Sequence, residues 1–374
     1  MQYFDHNASS PLCEPARRAW LDAVERYPGN PSSPHRLGSR ASRALDEARA
    51  GVAEVLGAHA EEVVWNSGAT EGNNTVLHNV AQSLDRAGRV WLSALEHPCV
   101  LAAARRWLAG RFDLIPVNTQ GVVELDWLRE RLAAGERPAL IGVMAANNET
   151  GVHQPWREVL ELARASGVAT FCDAAQWLGK EPAAGLGGVT WVTGCAHKFG
   201  GAAGVGFLKG PAAFMPLLQG GAQEEGRRAG TENVAGAWSC WAALRERERQ
   251  ILDGVPSRVA HARREFEETV TRRIPGLEIL GAAVPRLWNT SALWMPEVDC
   301  RRRWVVRLDK LGFAVSTGSA CASGKEKPSH VLTAMGRNPI GERMVRVSAG
   351  WETPEMAWSE LAEALVATAQ EFGG

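Results

Sequence analysis

Short apolar runs alternate with amphipathic stretches along the first two-thirds of the chain. Glu61-Glu62-Val63-Val64-Trp65-Asn66 predicts a strand, and residues 70–84 predict a helix entered through Ser67-Gly68-Ala69-Thr70. Arg89-Val90-Trp91-Leu92-Ser93 predicts a second strand and residues 100–108 a second helix. Residues 139–144, 169–172 and 204–208 predict further short strands. Apolar runs of about 4–8 residues between turn signals are the mark of strands inside a sheet. Their alternation with helices points to an α/β domain whose sheet is largely parallel. A long charged helix over residues 235–252 closes this region, and beyond Gly254 the pattern shifts to a smaller α+β part. The expected division is 12–252 for the large domain, with 1–11 and 253–374 forming the small one. No tandem repeat or low-complexity segment interrupts the pattern.

Composition excludes several classes. Of 374 residues, 45% are hydrophobic and 22% charged, as in ordinary soluble domains. A formal net charge of −1 argues against a nucleic-acid surface. No apolar run reaches the roughly 18 residues of a membrane span. Met1-Gln2-Tyr3-Phe4-Asp5 lacks a basic region followed by an apolar core, so a cytoplasmic protein is expected. Seven cysteines with no C-x-x-C spacing imply free thiols rather than a disulfide or zinc framework. The fifteen tryptophans read as core and interface filling. Cys321 stands apart, in Ser319-Ala320-Cys321-Ala322-Ser323-Gly324-Lys325. Small residues and nearby lysines predict a mobile, exposed loop whose thiol is reactive.

Two local features carry candidate chemistry. Lys198 lies in Ala196-His197-Lys198-Phe199-Gly200, and upstream an apolar strand ends in Asp173-Ala174-Ala175-Gln176. A deprotonable lysine with an acid at a strand end suits pyridoxal phosphate, the lysine as Schiff-base former and the acid as partner of the pyridine nitrogen. The turn Gly68-Ala69-Thr70-Glu71 follows a strand and opens a helix, where free N–H groups favour a phosphate. Each feature alone also fits a solvated lysine or a simple N-cap.

More extended motifs bring in a resemblance. Tyr3-Phe4-Asp5-His6-Asn7-Ala8, Gly29-Asn30-Pro31-Ser32-Ser33-Pro34-His35, Ser67-Gly68-Ala69-Thr70-Glu71-Gly72-Asn73-Asn74 and Glu96-His97-Pro98 occur in that order. Ala146-Asn147-Asn148-Glu149-Thr150-Gly151, Asp173-Ala174-Ala175-Gln176, Ala196-His197-Lys198, Gly230-Thr231-Glu232-Asn233, Ser319-Ala320-Cys321 and Pro328-Ser329-His330-Val331-Leu332 follow. With them the chain resembles, nearly end to end, the cysteine desulfurases of the NifS/IscS type in the class V aminotransferase family. The resemblance implies a pyridoxal-phosphate enzyme of fold type I and a homodimer. It also implies conversion of L-cysteine to L-alanine, with the sulfur left as a persulfide on Cys321 for an acceptor protein.

The same resemblance distributes roles. Lys198, Cys321 and His97 would be catalytic, His97 lying over the cofactor ring and helping to form the Cys321 thiolate. Ala69, Thr70, Cys195 and His197 would surround the phosphate, with Thr231 reaching in from the other subunit. Asp173 would pair with the pyridine nitrogen and Gln176 would donate to the ring oxygen. Asn7, Asn148 and Arg346 would meet the substrate, Asn148 also facing the cofactor and Arg346 gripping the carboxylate in a two-pronged contact.

Departures matter as well. Relatives usually carry Ser or Thr at the position of Cys195, and a thiol is a weaker donor to phosphate. Gly201-Ala202-Ala203-Gly204 stands where Gly-Pro-Lys-Gly is common. The chain ends at Gly374, soon after its last helix, whereas relatives serving the general iron–sulfur scaffold often carry a longer docking extension. The acceptor therefore stays open among a scaffold, a tRNA-thiolation protein and a biosynthetic enzyme. A selenocysteine lyase, another carbon–sulfur lyase and a non-catalytic relay subunit are the competing readings. The length of the Cys321 loop favours the desulfurase.

Overall fold

The computed structural model describes residues 1–296, 303–317, 329–337 and 343–373. Cys321 and its loop therefore lie outside the described residues, as does Cys300.

The strands are β1 (Gln2–Tyr3), β2 (Val63–Asn66), β3 (Val90–Ser93), β4 (Phe112–Ile115), β5 (Leu140–Gly142), β6 (Ala169–Asp173), β7 (Trp191–Cys195), β8 (Gly206–Lys209), β9 (Glu278–Ile279), β10 (Thr290–Trp294), β11 (Phe313–Ala314) and β12 (Met344–Ser348). The helices are α1 (Glu14–Arg26), α2 (Arg36–Leu56), α3 (Ala69–Ser83), α4 (Pro98–Trp107), α5 (Leu125–Ala133), α6 (Trp156–Ala165), α7 (Val234–Leu252), α8 (Val255–Arg273), α9 (Arg303–Lys310), α10 (His330–Ala334) and α11 (Glu355–Gly373).

The central sheet has seven strands in the order β2-β8-β7-β6-β5-β3-β4. Its ladders are parallel from β7 to β4, and β8 runs against both of its neighbours. The expected largely parallel α/β sheet is thus present. Strands buried on both faces read as continuous apolar runs, as Val63-Val64-Trp65 and Val90-Trp91-Leu92 do. The pattern reading of 139–144 overran β5. Beyond Gly142 the Met144 N–H turns to the Glu96 carboxylate (2.6 Å).

A three-stranded sheet, β12-β10-β9, is built from the last third of the chain. The N-terminus joins this part: β1 pairs with β11, and Asp5 bridges to Ser348. The largest apolar cluster is continuous from Phe4 through Leu45, Val192 and Phe207 to Trp358. Of the tryptophans, Trp91, Trp304 and Trp358 are among the largest fully buried side chains, in keeping with a packing role. The described cysteines Cys13, Cys99, Cys172, Cys195 and Cys240 are free thiols.

In open α/β sheets, ligand sites form beyond the carboxyl ends of the strands. Here Asn66, Ser93, Asp173 and Cys195 terminate β2, β3, β6 and β7 on that edge.

Candidate active site

At this edge lies a cavity of about 1030 Å³. It is lined by Asn7, Ala69, Thr70, His97, Asn148, Asp173, Gln176, Cys195, His197, Lys198 and Arg346. Sequence reading had placed all of these at one site, although they span 340 positions. Thr231 is not among the lining residues. It borders a smaller neighbouring cavity of about 170 Å³ that shares Ser67 and Gly204 with the large one.

Asp173 ends β6 nearly buried, and its carboxylate is held by two donors. Asn73 Nδ2 donates to Oδ2 (2.7 Å) and the Ala175 N–H donates to Oδ1 (3.0 Å). Thr193 Oγ1 donates to Asn73 Oδ1 (2.6 Å), which turns the Asn73 amide nitrogen towards Asp173. Asn73 lies within a motif that sequence reading quoted without giving it a task. The helical position that brings it beneath Asp173 was the available signal.

The β2–α3 turn is built for an anion. Gly68 caps α3 with φ 143°, a conformation L side chains rarely adopt. The first-turn N–H groups of a helix have no intrahelical partners, and Ala69, Thr70 and Glu71 line the cavity. Cys195 faces the same turn. Burial, before the opposing charge of Lys198, pushes its thiol up to about 11, and the Ala69 N–H points to it. The thiol thus stays neutral. We expect Cys195→Ser to hold a phosphate ligand more tightly, by at most about 1.5–3 kcal/mol for one gained bond to a charged group. Equilibrium dialysis of pyridoxal phosphate measures this, and weaker retention would mark Cys195 as a packing element.

His97 is the N-cap of α4, and its Nδ1 accepts from the Cys99 N–H (3.2 Å). A backbone N–H can only donate, so the neutral ring carries its proton on Nε2. Burial lowers the basicity of the ring most, and the charges of Lys198 and His330 add to this against Asp173. His97 is thus a neutral donor at Nε2, and its one basic nitrogen, Nδ1, is held by the Cys99 N–H. Cys99 Sγ sits 3.0 Å from Nδ1. Burial, then the Asp173 charge, pushes that thiol up to about 12.

Beside His97, Glu96 is fully buried. Its Oε2 has no hydrogen-bond partner. Burial, then the charge of Asp173, pushes the carboxyl from 4.5 up to about 8. A carboxyl whose folded pKa is raised favours folding while protonated, and that contribution is lost as pH climbs through the folded value. Stability from this group should fall between pH 4.5 and about 8. Glu96→Gln keeps the acceptor for Met144 and cannot ionise, so it should flatten that fall, by up to about 5 kcal/mol at the alkaline end. Melting curves across the range check this, and parallel curves for variant and parent would refute it.

His197 Nδ1 lies 3.4 Å from Ser9 Oγ. Burial, then Lys198 and Lys180, lowers its pKa to about 4. Lys198 Nζ donates to the carbonyls of Asn7 (2.6 Å) and Ala8 (2.9 Å). Arg346, on β12, donates to Asp5 Oδ1 (2.6 Å) and to the Asn148 carbonyl (2.9 Å). Gln176 Nε2 donates to the Asn7 carbonyl (2.8 Å), while its Oε1 receives Lys180. One of the two amide N–H donors is thus engaged with Asn7 and the other remains available.

The site tests well against pyridoxal phosphate. It joins one cavity-facing amine, a strand-end carboxylate with acceptor capacity and an anion-receiving helix start. A fold of this kind with such a site defines a class, and comparison bears it out. The Aminotransferase class-V family matches residues 2–356, and the chain belongs to this family of pyridoxal-phosphate enzymes. Within it the chain belongs with the NifS/IscS-type cysteine desulfurases. It is 36% identical to a cysteine desulfurase of Cereibacter sphaeroides over 89% of this chain and 86% of that one. Among solved structures it is similar to a NifS-like protein, with TM-score 0.87 and 28% identity over all of both chains. It is also similar to SspA in complex with cysteine, with TM-score 0.78 and 25% identity over 93% of this chain and 98% of that one.

Proposed function

We propose that the protein is a pyridoxal-phosphate-dependent cysteine desulfurase that passes sulfur from L-cysteine through Cys321 to an acceptor protein. The observation that carries this is the convergence of Lys198, Asp173, His97 and Arg346 on one cavity with the α3 N-terminus. The similarity to desulfurases and to SspA in complex with cysteine supports it over a selenocysteine lyase.

Lys198 would hold the cofactor covalently. The α3 turn, with Thr70, Cys195 and His197, would receive its phosphate, and Asp173 its ring nitrogen. When bound, pyridoxal phosphate supplies an electron sink for the substrate α-carbon. Arg346 and Asn7 orient the amino acid, Arg346 by gripping its carboxylate. The Asp5 contact already holds one guanidinium nitrogen, so the substrate carboxylate meets a guanidinium fixed in place. The His97 Nε2–H would donate a hydrogen bond to the reacting groups, while the Cys321 thiol gives its proton to solvent and reacts as the thiolate. The Cys321 thiolate bonds to the substrate sulfur as the carbon–sulfur bond breaks. The bond's electron pair stays with carbon, which is protonated and leaves as alanine.

The homodimer belongs to this reading. Thr231 lies outside its own subunit's cavity, as expected of a residue that serves a partner's phosphate. The division into 12–252 and 1–11 with 253–374 is supported by the break at Gly254 and by the pairing of β1 with β11. No helix among the described residues is long and apolar enough to cross a membrane, and we place the protein in the cytoplasm.

The test is direct. The full chain loaded with pyridoxal phosphate and given sulfur-labelled cysteine should form alanine and place the label on the Cys321 peptide. Absence of alanine, or label confined to another cysteine, would reject the assignment.

A further inference from the structure

The motif Pro328-Ser329-His330-Val331-Leu332 has no task in the reaction described so far. Its apolar half fixes it in place. Val331 and Leu332 are buried in a cluster with Leu95, Met144 and Met335. Ser329 caps α10, its Oγ accepting from the Leu332 N–H (3.2 Å) and donating to Glu149 Oε2 (2.6 Å). His330 is thereby set on the cavity wall, half-buried. Its Nε2 lies 2.8 Å from the Glu96 carbonyl oxygen. A carbonyl can only accept, so Nε2 carries the ring hydrogen and Nδ1 of the neutral ring keeps its lone pair. Among the described residues this Nδ1 has no hydrogen-bond partner, and unlike Nδ1 of His6 and of His78 it is not sealed from solvent. His97 follows the same carbonyl in the chain, and the two rings are close enough for the charge of His330 to act on His97. They are opposite in kind: His97 offers a donor at Nε2, His330 an acceptor at Nδ1.

An amino acid at this site has three arms on its α-carbon besides hydrogen. Arg346 would receive the carboxylate, and Lys198 marks the end at which the amine reacts. The arm that carries the thiol is left to the remaining polar wall. There Glu149 is nearly buried and already receives Ser329, Cys99 Sγ faces His97 Nδ1 (3.0 Å), and Arg105 can only donate. We propose that His330 is a specificity-determining residue whose Nδ1 accepts a hydrogen bond from the thiol of the substrate cysteine. The inference rests on the cysteine desulfurase reading above. The bond aims the substrate sulfur while its hydrogen stays on it. When the carbon–sulfur bond breaks, the sulfur passes to Cys321 with that hydrogen, and the electron pair of the broken bond stays with carbon. A neutral substrate sulfur matters, because a second thiolate would repel the attacking one.

The test compares two amino acids. The full chain carrying Cys321→Ser and loaded with pyridoxal phosphate is titrated, by absorbance, with L-cysteine and with L-alanine, which lacks the thiol. Adding His330→Phe keeps a ring and removes the acceptor. It should weaken L-cysteine by about two- to tenfold, the range of one neutral hydrogen bond, and leave L-alanine unchanged. His330→Gln, which has a donor for the Glu96 carbonyl and an acceptor of its own, should restore much of the preference for cysteine. Equal loss for both amino acids, or no loss for either, overturns the proposal. Should His330→Phe fail to fold, as judged by its melting curve, His330→Ala is read against the same outcomes. Absence of any response to either amino acid before His330 is changed would reject the desulfurase reading itself, and this inference with it.

Discussion

Lys198→Ala should abolish turnover of cysteine, lowering it by about four orders of magnitude, the upper end for one positioned acid–base group. Among the described residues Lys198 is the one lysine that lines the cavity, and Lys180 nearby is committed to Asn7 and Gln176. Borohydride treatment of the loaded parent protein should fix the cofactor to the Lys198 peptide and leave Lys180 and Lys209 unlabelled. Label on either of those would refute the assignment. The variant also probes assembly. If Thr231 completes a partner's phosphate site, a dimer of one Lys198→Ala and one Thr231→Ala subunit has one site lacking both groups and one with both intact. Activity should return on mixing the two inactive proteins. Verified subunit exchange without recovery would show that each subunit works alone.

Cys321→Ser should separate the two halves of the reaction. Lys198, Asp173, Arg346 and the α3 turn are untouched, so the variant should load the cofactor and respond spectroscopically to cysteine. With no thiolate to receive sulfur, formation of alanine and persulfide should fall by roughly a thousandfold or more, the scale of losing a nucleophile that acts together with a base. Persulfide formed at near-parental rates would remove Cys321 from the mechanism. His97 bears on the outcome, since its Nε2 starts protonated and a serine hydroxyl is far less acidic than a thiol.

Legibility in the sequence followed the range of the interactions involved. The strand–turn–helix at 61–84 was readable because both faces of β2 are buried and Gly68 marks the turn; only the ends moved, to Val63–Asn66 and Ala69–Ser83. The helix read over 235–252 starts one residue earlier, where the Asn233 side chain accepts from the Gly236 N–H (2.9 Å). By contrast, β4 escaped because Phe112-Asp113-Leu114-Ile115 is an edge strand with partly exposed, mixed side chains. Helices α1 and α2 went unread, since α2 buries small residues such as Ala41, Ala44 and Ala48 rather than a plain apolar stripe.

The same division runs through the site. Chemical identity is local, so motifs in the chain nominate Lys198, Asp173, His97, Arg346 and Cys321 as candidate reactive groups. Orientation is not local. Asn73 turns its amide nitrogen to Asp173 only because Thr193, 120 positions away, holds its oxygen. Which nitrogen of His97 bears the proton is decided by the cap of α4, and the Gln176 amide is oriented by Asn7 and Lys180. Hydrogen bonds need partners within about 3 Å and in line. A sequence determines which groups can donate or accept, and only the folded chain decides which of them meet.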